Sequence, residues 1–270
     1  MNSASAIMAA PMTKAKRSIG ERGSKRSAIV ENSERARYPG WPMFHRAQAF
    51  WLGELREARS FNCWIADLIA PSIRGDVLEI GCGIGNFTGL IARQASSVVA
   101  VDLNPEYITT ARQRWKDHRR VSFRCCDATT EAWKSEFDTI VLLDVLEHVE
   151  DDIDFLRSLR RALRPDGTLV VKVPSGDCLY GTMDGAIGHY RRYSKKTLRS
   201  SLHSAGWRDL DNFYFNRLGV LGWWLNGRVL QRVTPPATQV TAIEMLVSIL
   251  RRMERLAPLP FGLSLISIAS

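Results

Sequence analysis

The chain has 270 residues, 45% of them hydrophobic and 24% charged, which suffices for one sizeable core and is too apolar for a disordered protein. No apolar run reaches the roughly 20 residues that a membrane-spanning helix needs. Five cysteines, odd in number and without CxxC spacing, argue against a disulfide framework or a zinc cluster and for free thiols in a reducing cytoplasm.

The net charge of +9 is unevenly spread. Between Met1 and Tyr38 eight basic residues face three acidic ones, so +5 of the excess lies in this stretch. It is rich in Ser, Ala and Gly and lacks an apolar period, and residues 1–40 are expected to be a disordered basic extension unlike a secretory signal. Residues 41–75 then turn aromatic. Phe61 to Ala70 has helical apolar spacing and stops at Pro71. Trp64 is expected to pack on the core, whereas Tyr38 to Trp51 form either a lid over a bound ligand or further core.

The remainder of the chain is organised around Val77 to Thr88. Val77, Leu78 and Ile80 form an apolar run that meets Gly81, Gly83 and Gly85, and a helical segment from Phe87 to Arg93 comes next: strand, tight turn, helix. Glycine suits a backbone that reverses sharply against a ligand. The next strand, Val98 to Val101, ends in Asp102 and Leu103, where a carboxylate can accept both hydroxyls of a ribose. The dinucleotide fingerprint is G-x-G-x-x-G, but the spacing here is G-x-G-x-G, with Asn86 at the helix start. Glu79 is a poor neighbour for a pyrophosphate and a good one for a cationic amino-acid end, which favours S-adenosylmethionine (SAM) over NAD.

At this point the chain resembles the class I SAM-dependent methyltransferases, whose first motif is similar to Glu79-Ile80-Gly81-Cys82-Gly83-Ile84-Gly85. The resemblance implies that Glu79, Gly81, Cys82, Gly83, Asn86, Asp102 and Leu103 hold the methyl donor. Asn104-Pro105 opens a helix through Arg114, and a third strand, Val121 to Cys126, leads to Asp127-Ala128. By the same resemblance Asp127 meets the adenine amino group and the Ala128 backbone reads the ring edge. The alternative is that Asp127 caps the segment after it.

The fourth strand, Phe137 to Leu143, is a near-continuous apolar run, as a parallel sheet covered on both faces requires. Its carboxyl end places Asp144 with the cofactor and brings Glu147 and His148 near the transferred methyl. Asp144-x-x-Glu147-His148 resembles the metal-binding segment of ubiquinone-pathway O-methyltransferases and small-RNA 2′-O-methyltransferases. No further His lies between His148 and His189, so a metal is not expected and His148 is assigned to the acceptor side. A helix from Asp152 to Leu163, a turn at Arg164 to Gly167 and a strand from Thr168 to Pro174 complete an alternation that implies a doubly wound α/β sheet.

Leu179 to Ser194 comes after the fifth strand's carboxyl end and so overhangs the acceptor. His189 can take a proton from an attacking hydroxyl or amine, with Tyr190 beside it. Arg191 and Arg192, with Tyr193, can clamp a carboxylate or phosphate; alternatively Asp184, His189 and the arginines tie the loop together. Gly188-His189-Tyr190-Arg191-Arg192-Tyr193-Ser194 resembles a segment of a bacterial methyltransferase group, some members linked to glycosyltransferases, which implies a small-molecule or glycan-type acceptor.

Ser194 caps a helix from Lys195 to Ala205, and Gly206 ends it. Asp209 to Asn216 reads as a sixth strand, and Leu263 to Ala269 as a half-buried last strand. Residues 217–260 between them are expected to form a two-helix cap over the acceptor pocket, with a membrane-surface helix as the competing account. The expectation is therefore a Rossmann-like seven-stranded methyltransferase, core 76–216 with residues 261–270 as its last strand, that moves a methyl group from SAM to an oxygen of a small molecule. Nitrogen, carbon or a lipid-linked acceptor, and a non-catalytic SAM-binding module, remain the alternatives. Nucleic acid is not an expected partner, because Asp144 to Glu147 is not the N/D-P-P-Y-type motif of base-methylating enzymes; a homodimer is left open.

Overall fold

The computed structural model describes residues 41–256 and 259–270; the basic extension 1–40 lies outside them. Seven strands form one sheet: β1 (Asp76–Ile80), β2 (Ser97–Asp102), β3 (Val121–Cys125), β4 (Phe137–Leu143), β5 (Leu163–Pro174), β6 (Asp209–Phe215) and β7 (Ser264–Ala269). Their order is β3-β2-β1-β4-β5-β7-β6. The first five run parallel, and β7 is antiparallel to both neighbours. The chain thus starts at the centre, winds out to β3 and returns to β4, so a crevice opens where β1 and β4 part at their carboxyl ends.

Alternate residues of the central strands feed two cores. Leu78, Ile140, Leu142, Leu169 and Val171 point to one face, against Leu156, Leu159, Leu198 and Leu202. These last belong to helices α5 (Asp152–Leu159) and α7 (Lys195–Ser204). Val77, Val98, Val141, Val170 and Ile266 point to the other face. There they meet α2 (Arg59–Ile69), α3 (Thr88–Ile91), α4 (Pro105–Arg114) and α9 (Ala237–Leu256). The remaining helices, α1 (Trp41–Glu57), α6 (Thr182–Ala186) and α8 (Gly219–Trp224, continued as a π turn through Val229), gather at the crevice side. Asn104 caps α4 by accepting from Glu106 N, and Ser194 caps α7 by accepting from Thr197 N, as their spacing predicts.

Three features differ from the sequence reading. The last strand is buried at every position instead of half-buried. Leu265 and Ala269 enter one core and Ile266 and Ile268 the other, so both its faces are covered, and Ser267 is accommodated by donating to Asp209 Oδ1 at 2.9 Å. The turn at Arg164 to Gly167 is a bulge within β5: partners step from Phe137/Leu163 to Thr139/Thr168, and Asp166 adopts φ 63°. Finally, α9 does not lie over the acceptor side. Ile243, Val247 and Leu250 pack into the α2 core, and Arg251 pairs with Asp67 at 2.7 Å.

Glu244 of α9 explains that docking. Helix α2 starts after Ala58, which has no side-chain acceptor, and its free amides are taken instead by Glu244, from Ser60 N at 2.6 Å and Phe61 N at 3.1 Å. Trp64 is buried as expected, edge-on to Phe61 and Phe215. Trp64→Ala is expected to remove about 3–5 kcal/mol of unfolding free energy, read as a lower urea midpoint at unchanged slope.

Candidate active site

The glycine turn is built as its sequence demands. Gly81, Gly83 and Gly85 have φ of 74°, 53° and 77°, a region side chains disfavour. A Cβ on Gly81 would lie 2.4 Å from Val145 Cγ2, and one on Gly83 2.9 Å from Leu52 Cδ2. The turn is therefore roofed on one side by α1. Asn86 fixes that roof: its Nδ2 donates to Leu52 O at 3.0 Å, while its Oδ1 accepts from Arg114 at 2.8 Å. Asn86 thus ties the lid helix to the turn, and Trp51 of α1 stacks on Trp223 of α8 with ring centroids 5.7 Å apart. Trp51 also packs against Ala47, Ala186 and Ile187, while Tyr38 lies outside the described residues.

Two carboxylates flank the turn. Asp102 Oδ2 accepts from Gly83 N and Oδ1 from Asn104 N, both at 2.8 Å, which fixes the carboxyl at the carboxyl end of β2. Burial pushes its pKa up against those hydrogen bonds. Glu79 is buried at the end of β1, where burial raises its pKa to about 8 despite the hydrogen bond donated by Thr88 Oγ1 at 2.6 Å. A cationic group brought to this spot would restore the carboxylate, so the pair fits an ammonium-bearing nucleoside. Cys82 is buried with its thiol pKa pushed up by burial, and Leu103 is half exposed. Asp127 Oδ1 accepts from both Thr129 N and Thr129 Oγ1, so the carboxyl caps its own turn, with Ala128 buried beside it.

The acceptor side is a network of charge. Asp144, at φ 55°, pairs with Lys172, a lysine buried near the carboxyl end of β5. Asp184 is fully buried and takes His189 Nδ1 at 2.9 Å, Arg192 Nε at 2.8 Å, Trp223 Nε1 at 3.1 Å and Gly181 N at 3.0 Å. Burial alone would raise its pKa, but the His189 hydrogen bond and the Arg192 charge outweigh it and hold the carboxyl below its usual range. His189 is further anchored by its own backbone N–H to Asp184 O and by Tyr180 Oη donating to its carbonyl at 2.6 Å.

Glu147 is the opposite case. It is completely buried, and neither carboxyl oxygen has a hydrogen bond. Burial and the Asp144 charge raise its pKa well above the usual range. His189 Nε2 stands 3.7 Å from Glu147 Oε1, and the His148 and His189 rings meet edge-on at 4.7 Å. Burial and the neighbouring His189 push His148 down to about 3, so it is neutral near pH 7. One ligand atom from each of Glu147, His148 and His189 lies within 4.8 Å of the other two. The fold thus brings His189 to His148 across 41 positions of the chain.

The residues assigned to clamp an acceptor do otherwise. Arg192 is buried, bound to Asp184 and to Ser175 O, and lies over the Trp223 ring at 4.6 Å. Arg191 pairs with Asp152 at 3.1 Å and donates to Glu150 O. Tyr193 is a core residue whose hydroxyl donates to Asp152 Oδ2 at 2.8 Å. These are the internal ties that the sequence leaves open as the alternative, and they correct the assignment. Tyr190 faces outward, 36% exposed, and the Arg191 side chain is partly exposed as well. Lys172 and Trp223 are site residues that the sequence reading misses. Lys172 leaves a signal, a lone lysine inside Val170-Val171-Lys172-Val173; Trp223 leaves none.

Residues 78–171 match a family model described as a methyltransferase domain. The ubiquinone biosynthesis O-methyltransferase of Bradyrhizobium diazoefficiens is 31% identical over 137 residues, 47% of this chain and 51% of that protein. A malonyl-[acyl-carrier protein] O-methyltransferase of Paenibacillus is 38% identical over 101 residues, 35% and 37% of the two chains. The chain thus spans about half or less of the curated relatives just named. Among solved structures, a SAM-dependent methyltransferase of Mesorhizobium loti aligns with a TM-score of 0.53 at 18% identity over 76% of this chain and 95% of that one. The 1,6-didemethyltoxoflavin N1-methyltransferase of Burkholderia thailandensis, solved with S-adenosylhomocysteine, gives 0.52 at 22% over 98% and 92%. Residues 78–171 accordingly match a methyltransferase domain, and the chain shares the Rossmann-like fold of these solved methyltransferases.

Glu79 provides a direct check of the cofactor's orientation. Below pH 8 its carboxyl carries a proton in the free protein, and a cation beside it expels that proton. SAM binding at pH 7 is expected to release about one proton, seen calorimetrically as a binding enthalpy that varies with the buffer's ionisation enthalpy. Glu79→Gln is expected to abolish that dependence.

Proposed function

We propose that this chain transfers a methyl group from SAM to an oxygen of a small-molecule acceptor in the cytoplasm, with His189 as the base. The observation that carries the reading is the Asp184–His189 hydrogen bond at 2.9 Å, within a buried network at the carboxyl end of the sheet. SAM supplies an electrophilic methyl on a sulfonium; Glu79, the glycine turn and Asp102 would hold it, and α1 would shield it from water. Asp184 keeps the proton of His189 on Nδ1 and leaves Nε2 as the free lone pair. Nε2 then accepts the acceptor hydroxyl's proton as the oxygen attacks, and the nearby Asp184 carboxylate stabilises the imidazolium that forms. Alignment and exclusion of water supply the rest of the rate. The named O-methyltransferase relatives support oxygen as the site of methylation, and the five free cysteines accord with a reducing compartment. His189→Gln is expected to lower kcat by about 100-fold or more with the SAM dissociation constant unchanged; equal turnover in the variant would remove His189 from the chemistry.

One observation favours a second reading. An ionised Glu147 without a partner is costly in so dry a place, and a divalent cation held by Glu147, His148 and His189 would satisfy it. One carboxylate oxygen and two imidazole nitrogens suit zinc, manganese or iron(II) better than magnesium or calcium. Such an ion would act as a Lewis acid that lowers the pKa of the acceptor hydroxyl. The two readings separate on chelation: with His189 as base, turnover survives dialysis against EDTA, whereas turnover that is lost and returns only with added cation, and never in Glu147→Gln, assigns the site to a metal.

A further inference from the structure

Helix α9 presents apolar side chains on two sides. Ile243, Val247 and Leu250 face the core, while Met245, Ile249, Met253 and Leu256 recur at spacings of four, four and three residues and are 77%, 57%, 53% and 81% exposed. Leu246 extends the same stripe. Leu221 and Trp224 of α8, with Leu225 and Val229 of its π turn, are exposed as well. The two elements are joined where Asn226 Nδ2 donates to Gln239 Oε1 at 2.7 Å. Single exposed aliphatic residues are ordinary; a continuous stripe of them marks a surface that something covers.

Charge identifies what covers it. Residues 217–260 contain six arginines and two acidic residues. Both carboxylates are turned inward: Glu244 holds the amides of α2, and Glu254 accepts from Asn216 N, Arg217 N and the Arg217 guanidinium. Arg252 and Arg255 are exposed and form no ion pair among the described residues. The outward face is therefore apolar with positive charge only. A twofold contact with a second copy would set this surface against itself, arginines against arginines with no outward acid on the segment to answer them. An anionic lipid surface complements both properties at once.

We infer that α9 and α8 dock the protein on an anionic bilayer, with Met245, Ile249, Met253 and Leu256 among the acyl chains and Arg252 and Arg255 at the phosphates. The same segment reaches the acceptor side. Trp223 donates to Asp184, and Thr182 Oγ1 donates to Gly227 O at 3.1 Å. Docking thus brings the loop that bears His189 to the membrane, where an acceptor dissolved in the bilayer would be presented to it. The surface itself does not depend on the methyl-transfer reading.

The test is flotation of the full chain with vesicles of phosphatidylcholine alone or mixed with phosphatidylglycerol. The protein is expected to float with the anionic vesicles at low salt and not with the neutral ones. Ile249→Glu/Met253→Glu and Arg252→Glu/Arg255→Glu are each expected to weaken binding by about tenfold or more, with circular dichroism and SAM affinity unchanged. Absence of flotation with anionic vesicles at low salt would overturn the inference. Undiminished flotation of both variants would also overturn it, since binding would then reside elsewhere in the chain. So would self-association in light scattering that Ile249→Glu/Met253→Glu abolishes, which would make a second copy the occupant.

Discussion

The Asp184 carboxylate is the interaction on which the acceptor side depends. Four donors converge on it, from His189, Arg192, Trp223 and the backbone of Gly181, and they come from two separate segments, the stretch after β5 and α8. A fully buried carboxylate is tolerated only when its charge and lone pairs are met. Here that requirement orders the loop after β5, sets the face that His189 turns to Glu147, and pulls α8 of the 217–260 segment onto the site. Arg192, which looks in sequence like a hand for an anionic substrate, is consumed in neutralising Asp184.

The donor side rests on a different constraint. The glycine turn leaves β1 with its backbone bonded to the end of β2, Gly81 N and Cys82 N both donating to Val101 O. Asp102 then closes the loop by accepting from Gly83 N. The carboxylate that would read a ribose is therefore also a strut of the turn, and the ligand site and the fold share it. The same sharing appears in Asn86, which secures α1 to the turn.

The range of each interaction decides how much of this is legible in the sequence. β1, β4 and the glycine turn are legible because a buried parallel strand and a positive-φ turn leave local composition behind them: Val77 to Ile80, Phe137 to Leu143, and glycines at alternate positions. The caps Asn104 and Ser194 are legible for the same reason. The features that escape are non-local. Arg191, Arg192 and Tyr193 have the residue types of an anion clamp, and only the positions of Asp152 and Asp184 show that their valences are spent. The burial of β7 stems from cores on both faces of the sheet, which no feature of Leu263 to Ala269 announces. Trp223 reaches Asp184 across 39 residues, and periodicity says nothing about such a contact.

Asp184 and Glu147 face His189 from two sides, and the contrast between them carries the chemistry. Asp184 is matched by the Arg192 cation and stays ionised although it is buried. Glu147 has no such partner, so burial and Asp144 drive it towards its neutral form. Lys172 cannot rescue it, because that ammonium is held by Asp144. His148 cannot either, since burial keeps it unprotonated at any pH near neutrality. An ionised Glu147 would therefore leave the site one positive charge short, and two events would supply it: a proton moving onto His189 from the acceptor, or a cation bound between the rings and Glu147. Both would put positive charge near His189, where a developing alkoxide would be stabilised. Base catalysis and metal assistance would in this sense be alternative ways of meeting one electrostatic demand, with His189 common to both.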